Sequence, residues 1–293
     1  MKERAEEKGV RLKAPAKINL MLEVVGQRDD GFHDIVTRIC PLSLADDLTL
    51  VGENEGGAVL EVEASDTEVP LGEENLVLQA VRAFERRFGR DVNVRLTLTK
   101  RIPSSAGLGG GSSDAASTLV GLNRLHENPF GQAELAEIGA EVGSDVPFFV
   151  YQSVCDCRGR GEIVEAIDFH WELPIVLVKP NFGIAAGWAY ERWAESKELP
   201  GVCYAPQICY WGEMRNDLER PVFEKYLLLA EIKRWLMAQA EAQAVLMSGS
   251  GATVFAVLSG EHRGEALVKK AVARYGPDTW TFSGRTISSV STH

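Results

Sequence analysis

The feature that most limits what this chain can fold into is a glycine-rich stretch at residues 107–111, where four of five residues are glycine. Before it, residues 94–98 alternate apolar and polar side chains, which is the period of a half-buried strand. After it, apolar residues repeat at helical spacing from Ala115 to Leu125. Because glycine adopts positive φ angles and lets a ligand approach the backbone, the pattern predicts a strand, a tight loop and a helix start.

The start of that helix is a candidate phosphate-binding site. The first N–H groups of a helix lack partners within it, and we expect Ser112, Ser113 and Asp114 to cap them. A helix N-terminus behind a glycine turn attracts phosphate through its N–H groups and its dipole. No lysine precedes Ser112, as a Walker loop requires, and the spacing differs from the dinucleotide fingerprint Gly-x-Gly-x-x-Gly. From the residues alone, a different phosphate loop and a purely structural glycine turn both remain open.

Charge and composition argue against several classes of protein. The 293-residue chain carries a net charge of −11, whereas binding a nucleic-acid backbone needs clustered cations. A nucleotide can still bind if backbone dipoles and a few local cations face its phosphates. No apolar run approaches the roughly 20 residues of a membrane helix, and Met1–Lys8 is charged, unlike a signal peptide. We therefore expect a cytoplasmic protein with no nucleic-acid or membrane partner.

The five cysteines give no indication of a metal site. Their number is odd, and none of them forms a Cys-x-x-Cys pair. The spacing in Cys155-Asp-Cys157 is too short for a zinc knuckle. We expect reduced thiols and no resident metal.

Lys17 and Asn19 are candidate polar groups on an early strand. Apolar residues alternate from Ile18 to Val25, which predicts a strand that places Lys17 and Asn19 on one face and Ile18, Leu20 and Leu22 on the other. A solvated sheet face explains this pattern. The functional alternative is a cation and an amide that line a polar pocket.

A turn at residues 26–31 leads to a second candidate pair, Phe32 and His33. These residues could form a simple hairpin corner. Alternatively, they could present a ring face and a hydrogen-bonding imidazole to a planar base.

Two further polar residues lie at predicted helix starts. Asn75 precedes the amphipathic helix at 76–88, and N-capping alone would explain it. After a helix at 132–142, Ser144 is a predicted cap and Pro147 suits a first helical turn. Asp145 then lies at a helix N-terminus, where the dipole favours an ionised carboxylate. Capping and catalysis are both possible roles for it.

The second half of the chain mixes helices and strands. We expect a long helix from Asn216 to about Ala242, after a loop or lid at 197–214. The remaining pattern predicts strands at 174–180 and 280–289, helices at 184–196 and 264–275, and a strand–glycine turn–strand unit at 245–257. This order indicates an α+β protein with helices on one face of an antiparallel sheet.

Three separated motifs resemble those of the GHMP small-molecule kinases. They are Pro15–Leu20, Ile102–Ala116 and Ser248–Ala252, and they occur in the family's order through nearly the whole chain. The resemblance implies the two-domain GHMP-kinase fold. Residues 1–165 would form an ATP-binding domain like ribosomal protein S5, and residues 166–293 a ferredoxin-like α/β layer that binds the substrate.

Further segments narrow the resemblance. Gly31–Asp34, Gly143–Phe149 and Asn216–Glu219 are similar to GHMP kinases of non-mevalonate isoprenoid synthesis, which phosphorylate the 2-hydroxyl of a cytidine diphosphate-linked methylerythritol. The implied cofactors are ATP and Mg²⁺. The implied partner is a small-molecule cytidine diphosphate substrate, and the chain would be a monomer or a weak homodimer.

The resemblance also implies roles for individual residues. The catalytic pair would be Asp145 and Lys17. The ATP-binding residues would be Pro103, Ser104, Ser105, Ala106, Gly107, Leu108, Gly109, Gly110, Gly111, Ser112, Ser113 and Asn75. The substrate-binding residues would be Asn19, Phe32, His33, Tyr190, Gly249, Ser250 and Gly251.

Two positions depart from the family pattern. Phe32 stands where a tyrosine is common, which keeps the stacking face and removes a hydroxyl. Ala185 and Ala186 stand where many members carry serine and threonine, which removes hydrogen bonds from that helix start.

The alternative functions are a GHMP kinase for mevalonate, homoserine or a sugar, and a non-catalytic metabolite sensor. A dinucleotide-dependent oxidoreductase fails on the spacing of the loop and its place in the chain.

Overall fold

The computed structural model describes residues 9–64, 69–260 and 264–289. The charged stretch Met1–Lys8 lies outside these ranges. The first half contains strands β1 (Gly9–Gln27), β2 (His33–Gly52), β3 (Ala58–Ala64), β4 (Val94–Lys100), β5 (Cys155–Arg158) and β6 (Ile163–Ala166). Its helices are α1 (Leu76–Phe88), α2 (Gly110–Leu125), α3 (Gln132–Val142) and α4 (Val146–Tyr151).

The second half alternates short strands and helices. Its strands are β7 (Pro174–Lys179), β8 (Gln207–Cys209), β9 (Gly212–Asn216), β10 (Ala242–Met247), β11 (Val254–Leu258) and β12 (Trp280–Arg285). Its helices are α5 (Ala186–Arg192), continued by a 3₁₀ turn (Trp193–Glu195), α6 (Glu219–Lys225), α7 (Leu227–Met237) and α8 (Gly264–Tyr275).

These strands form two sheets. In the first sheet the main order is β3-β4-β2-β1-β9-β8, while β5 pairs with β2 and β6 pairs with β5. The long antiparallel pair β1–β2 is its centre, and β9 from the second half joins β1 in parallel. The second sheet has the order β10-β11-β7-β12 and is antiparallel.

The two sheets pack face to face between two layers of helices. On β7, Ile175 and Leu177 belong to the buried cluster that includes Ile18 and Leu20 of the first sheet. Val176 and Val178, which alternate with them, belong instead to the cluster formed with α5–α8. Because both faces of β7 are buried, its sequence is a continuous apolar run rather than an alternating one. Helices α1–α4 cover the other side of the first sheet.

Several predicted elements are confirmed, and two predictions are wrong. The strand before the glycine loop, the helices at 76–88, 132–142 and 264–275, and the strand–turn–strand unit all occur. The predicted long helix does not: Asn216 ends β9, and a break at Tyr226 (φ −109°, ψ 72°) separates α6 from α7. The predicted loop at 197–214 contains β8 and most of β9. These strands are too short and polar to be predicted, since their pairing comes from the rest of the sheet.

A close helix contact supports the segment that carries Asp145. Gly139 of α3 packs against Val146, the first residue of α4. A Cβ atom on Gly139 would lie 2.8 Å from Val146 Cγ1 and 3.4 Å from Val146 Cβ. Valine has little rotamer freedom in a helix, so its side chain cannot easily move away.

We expect Gly139→Ala to lower the free energy of unfolding by about 1–2 kcal/mol, because the overpacking outweighs the helix propensity of alanine, about 1 kcal/mol. In a Val146→Ala background the same change should stabilise the protein, because the obstructing methyl groups are gone. Urea denaturation of the four proteins of this cycle measures both effects. An equal effect of Gly139→Ala in the two backgrounds would contradict the contact.

Candidate active site

The glycine loop between β4 and α2 lies between a larger and a smaller cavity. The larger has a volume of about 650 Å³ and the smaller about 380 Å³. Both are lined by Ser105, Gly107, Gly109 and Ser112. The loop therefore forms a wall that two ligands could share from opposite sides.

Lys17 and Asn19 share one face of β1, as predicted, and both line the larger cavity. The ammonium Nζ of Lys17 donates a hydrogen bond to Asn19 Oδ1 at 2.7 Å. Asn19 Nδ2 donates to Thr37 Oγ1 at 2.8 Å, and Thr37 Oγ1 donates to the Met21 carbonyl at 2.6 Å. This chain fixes the orientation of the Asn19 amide. Thr37 was not predicted, because only the pairing of β1 with β2 brings it here.

The predicted position of Leu22 is wrong. We expected it on the face opposite Lys17, yet it lines the same cavity. The register of β1 against β2 shifts between Asn19 and Met21. Such a bulge reverses the alternation of side chains beyond it.

Asp145 lies beside Lys17 at the start of α4. Its Oδ2 is 3.7 Å from Lys17 Nζ, and the side chains are 36% and 6% exposed respectively. Asp145 occupies the N-cap position but makes no side-chain capping hydrogen bond, and the predicted cap, Ser144, does not hold that position. The carboxylate is therefore directed to the cavity and to the lysine, not to its own helix.

The glycine loop adopts the conformation that its sequence predicts, but its capping differs. Gly107 and Gly109 have φ angles of 73° and 69°. Gly109 is the N-cap of α2, and no side chain caps this helix. The prediction that residues 112–114 cap it is wrong, because α2 begins at Gly110 and these residues already lie in its first turns.

A buried ionic cluster underlies the loop. Lys100 Nζ contacts Asp46 and also donates to Asp114 Oδ2 at 2.6 Å. Asp46 accepts hydrogen bonds from the backbone N–H groups of Arg101 and Ile102, which begin the loop. Burial raises the pKa of Asp114 to about 8, and its Oδ1 is buried with no hydrogen-bond partner. Sequence reasoning missed this cluster, because Asp46 is far from Lys100 along the chain.

Most of the residues predicted to bind ATP lie at the smaller cavity. Leu108 and Ser113 do not: the Leu108 side chain is buried in the core, and Ser113 Oγ is buried without a partner. The Asn75 amide accepts from Val77 N at 2.9 Å and donates to the Pro70 carbonyl at 2.6 Å. Those that line the smaller cavity are Asn75, Pro103, Ser104, Ser105, Ala106, Gly107, Gly109, Gly110, Gly111 and Ser112.

The residues predicted to bind the substrate line the larger cavity, namely Asn19, Phe32, His33, Tyr190, Gly249, Ser250 and Gly251. The rings of His33 and Tyr190 stack with centroids 5.7 Å apart. Burial raises the pKa of Tyr190 above its usual range. Phe32 is 51% exposed, and the Arg160 guanidinium lies 4.9 Å from its ring centroid. Arg160 also lines this cavity and was missed, because nothing in the turn at Gly159–Glu162 distinguishes it from a surface arginine.

The departure at residues 185–186 falls on the wall of the same cavity. Ala186 lines it, and Ala185 is the N-cap of α5 without a side-chain cap. Neither side chain can donate a hydrogen bond to a ligand here.

Within the described ranges, no helix is both long and apolar enough to cross a membrane.

Comparisons with known proteins place this geometry in a family. The family model described as "GHMP kinases N terminal domain" matches residues 75–153, and the one described as "GHMP kinases C terminal" matches residues 210–278. The chain is 38% identical to 4-diphosphocytidyl-2-C-methyl-D-erythritol kinase of Methylacidiphilum infernorum, over 91% of this chain and 93% of the relative. It is 37% identical to the same enzyme of Geobacter metallireducens, over 87% and 91%.

Solved structures share the fold. A 4-(cytidine 5'-diphospho)-2C-methyl-D-erythritol kinase superposes with a TM-score of 0.76 at 30% identity, over 94% of this chain and 99% of that one. A homoserine kinase from Cytophaga hutchinsonii has a TM-score of 0.70 at 15% identity, over 100% and 98%. The second likeness supports the fold alone.

The ionic cluster under the loop predicts a pH dependence of stability. Because the pKa of Asp114 is raised to about 8 from 3.8, the folded chain holds this proton more tightly than the unfolded chain. The stabilisation that this proton contributes to the free energy of unfolding is therefore complete below about pH 4 and is lost as the pH rises through about 8. We expect the unmodified protein to lose up to about 1 kcal/mol per pH unit more than Asp114→Asn between pH 5 and 8, and no more than this variant above pH 9. Urea denaturation across this range measures the difference, and parallel curves would contradict it.

Proposed function

The chain belongs to the GHMP kinase family and to its 4-diphosphocytidyl-2-C-methyl-D-erythritol kinases, and from that premise we propose that it transfers the γ-phosphoryl group of ATP to the 2-hydroxyl of 4-diphosphocytidyl-2-C-methyl-D-erythritol. The fold is the α+β fold of this family. The observation that carries the proposal is the glycine loop with a cavity on each side. Lys17 and Asp145 line the larger cavity, close to the shared wall. A volume of about 650 Å³ suits a ligand the size of a cytidine diphosphate derivative.

The smaller cavity is the proposed nucleotide site. The backbone at the start of α2 supplies N–H groups and a positive helix end, which attract phosphate without a large net positive charge. No side chain caps this helix, so its first turn is open to an anion. This explains how a chain with a net charge of −11 can bind a polyphosphate. Asn75 lines this cavity, which Lys17 does not, and the nucleoside would lie beside it.

Phosphoryl transfer depends mainly on alignment and charge stabilisation. The substrate hydroxyl oxygen forms a bond to the γ-phosphorus, and the bond from that phosphorus to the bridging oxygen of ADP breaks. The hydroxyl proton passes to Asp145, the carboxylate beside the shared wall. Lys17 stabilises the negative charge that develops on the hydroxyl oxygen. Its hydrogen bond to Asn19 keeps the ammonium in place.

Mg²⁺ is the expected companion of ATP. The described part of the chain has no group of three His, Cys, Asp or Glu side chains that could hold a metal ion. Mg²⁺ usually keeps several water ligands and binds through one or two carboxylates together with substrate phosphates. Ser112, which lines both cavities, would supply a hydroxyl oxygen to the ion, and water and phosphate oxygens would complete its coordination. The ion would neutralise charge on the phosphate oxygens.

The cytidine end of the substrate is proposed to lie at Phe32, His33 and Tyr190. Phe32 offers an exposed ring, and His33 offers an imidazole for hydrogen bonds with the base. Arg160, above the Phe32 ring, adds positive charge where a diphosphate would pass.

Coupled detection of ADP tests the function. The protein is supplied with ATP, Mg²⁺ and the cytidine diphosphate methylerythritol, and in parallel with mevalonate, homoserine or galactose. We expect ADP release that depends on the cytidine substrate, with a product phosphorylated on the alcohol. Turnover of mevalonate, homoserine or galactose in its place would assign a different GHMP kinase activity, and no turnover of any alcohol would favour a metabolite sensor.

The catalytic pair makes a direct prediction. We expect Asp145→Asn and Lys17→Ala to fold and to lose about 10²–10⁴-fold in kcat, since each removes a positioned charged group. Asp156→Asn is the matched control, because Asp156 lines neither cavity and pairs with Arg38 at 2.7 Å. Thermal unfolding checks the fold of each variant. Near-normal turnover in a folded Asp145 or Lys17 variant would remove that residue from the mechanism.

The specificity site makes a second prediction. We expect His33→Ala to raise KM for the cytidine substrate about tenfold and to leave KM for ATP unchanged, since stacking and edge contacts to a base contribute about 1–3 kcal/mol. His126→Ala serves as a control, because His126 stacks on Phe84 in a separate aromatic cluster. An unchanged KM for the cytidine substrate would place the base elsewhere.

A further inference from the structure

We propose that Asn216 and Glu219 are positioning residues that hold the loop at Ser248–Gly251 against the glycine loop and against Lys17. The proposal rests on the function proposed above and extends it. The segment Asn216–Glu219 is one of those that narrow the resemblance to one group of GHMP kinases, but its residues line neither cavity. Its side chains instead bond to the backbone that forms the wall of the larger cavity.

The side-chain amide of Asn216 makes three hydrogen bonds, all to backbone groups. Its Nδ2 donates to the carbonyl oxygens of Met247 at 2.8 Å and Gly249 at 2.7 Å. Its Oδ1 accepts from Leu218 N at 2.9 Å. The amide thus holds the chain on both sides of Ser248 and ties it to the start of α6. Its residue is only 6% exposed, so water cannot easily replace these bonds.

Glu219 fixes the same segment from a second direction. Its Oε1 accepts from Met247 N at 2.9 Å, and its Oε2 contacts Lys233 Nζ at 2.5 Å. Lys233 also donates to the Cys203 carbonyl at 2.6 Å. Glu219 and Lys233 are each 1% exposed. A buried ion pair of this kind contributes little net stability, so its more specific effect is to define where the Met247 backbone lies.

The loop held in this way is in contact with the glycine loop. Ser248 Oγ donates to the Gly107 carbonyl at 2.9 Å, and Thr253 N donates to the Ala106 carbonyl at 3.2 Å. The backbones are so close that a Cβ atom on Gly107 would lie 2.2 Å from the Ser248 carbonyl oxygen. A shift of the second-half loop would therefore displace the wall that the two cavities share.

The same loop borders the catalytic lysine. A Cβ atom on Gly249 would lie 3.2 Å from Lys17 Nζ and 3.3 Å from Asn19 Oδ1. Gly249 has a φ of 53°, so both its space and its backbone conformation favour glycine. The Gly249 carbonyl that Asn216 holds thus belongs to the residue packed against the Lys17–Asn19 pair.

Asn216 also lies where the second half joins β1. It pairs with Leu22 in the parallel contact of β9 with β1. The next residue, Asp217, donates through its N–H to the Leu22 carbonyl at 3.0 Å and accepts from Val24 N at 2.9 Å. One short segment therefore sets the loop relative to both the strand of Lys17 and the phosphate wall. A misplacement of about 1 Å can cost roughly 100-fold in rate. Loss of this segment's contacts should therefore misalign the reacting groups and lower kcat.

Asn216→Asp tests the proposal with minimal change of shape. It keeps the acceptor for Leu218 N and removes both donors to the loop. The matched control is Asn123→Asp: Asn123 is also 6% exposed, and it bridges the N–H and carbonyl of Phe130, each at 3.0 Å, far along α2 from the loop. We expect kcat to fall about 10–100-fold in Asn216→Asp, with both KM values within about threefold, while Asn123→Asp keeps its kcat at a similar loss of Tm.

Hydrogen exchange supplies a readout that does not depend on activity. Peptides that cover residues 103–113 should exchange faster in Asn216→Asp than in Asn123→Asp. If kcat and loop exchange are the same in the two variants, the proposal is overturned. If the unmodified protein does not phosphorylate the substrate, the proposed function fails, but the exchange difference still decides whether the loop is held.

A second pair of variants decides the matter if Asn216→Asp does not fold. Glu219→Gln/Lys233→Met keeps an acceptor for Met247 N without a buried unpaired charge. Glu219→Met/Lys233→Met removes that acceptor and is equally neutral. We expect the first double variant to keep kcat and slow loop exchange, and the second to lose about tenfold in kcat. Equal kcat and equal exchange in the two double variants would overturn the role of Glu219.

Discussion

The close approach of two glycine-containing loops, one from each half of the chain, is the constraint on which the rest of the structure depends. At Gly107 the backbones come so near that any side chain would collide with the Ser248 carbonyl. Hydrogen bonds from Ser248 and Thr253 to the glycine loop close this contact. Two sheets pack face to face behind it, and the two cavities open on either side of it. Without the contact, the two cavities would have no common wall.

Charge is used sparingly around this wall. Lys100 lies directly beneath the loop, yet its ammonium contacts Asp46, the carboxylate that accepts from the loop's first N–H groups, so it supports the loop more than it attracts an anion. Lys17, on the other side, is buried, hydrogen-bonded to an amide, and only within ion-pair distance of Asp145. The cation nearest the proposed chemistry is therefore the one least neutralised by a short contact. Backbone dipoles can supply the remaining attraction for phosphate, which is consistent with an acidic protein.

The sequence predicted elements whose signals are local. The alternation before the loop, the helical spacing after it and the shared face of Lys17 and Asn19 all follow from one segment at a time. What it missed depends on segments that meet only in the fold. Thr37 reaches Asn19 through strand pairing, Asp46 reaches Lys100 across the sheet, and Leu22 changes face at a bulge. The short strand β9 has no pattern of its own, and its end at Asn216 was mistaken for a helix start.

The side-chain hydrogen bonds of Asn75 and Asp145 show different roles for two residues that the sequence alone did not distinguish. Asn75 and Asp145 both precede helices, and capping would explain either of them. In the structure the Asn75 amide is used by Val77 N and the Pro70 carbonyl, so its capping role is confirmed. The Asp145 side chain makes no such bond and lies instead beside Lys17. A polar group at a helix start that its helix does not use, in a cavity and next to a buried cation, is available for chemistry. That availability, more than its position in a motif, is the physical argument for assigning Asp145 the proton.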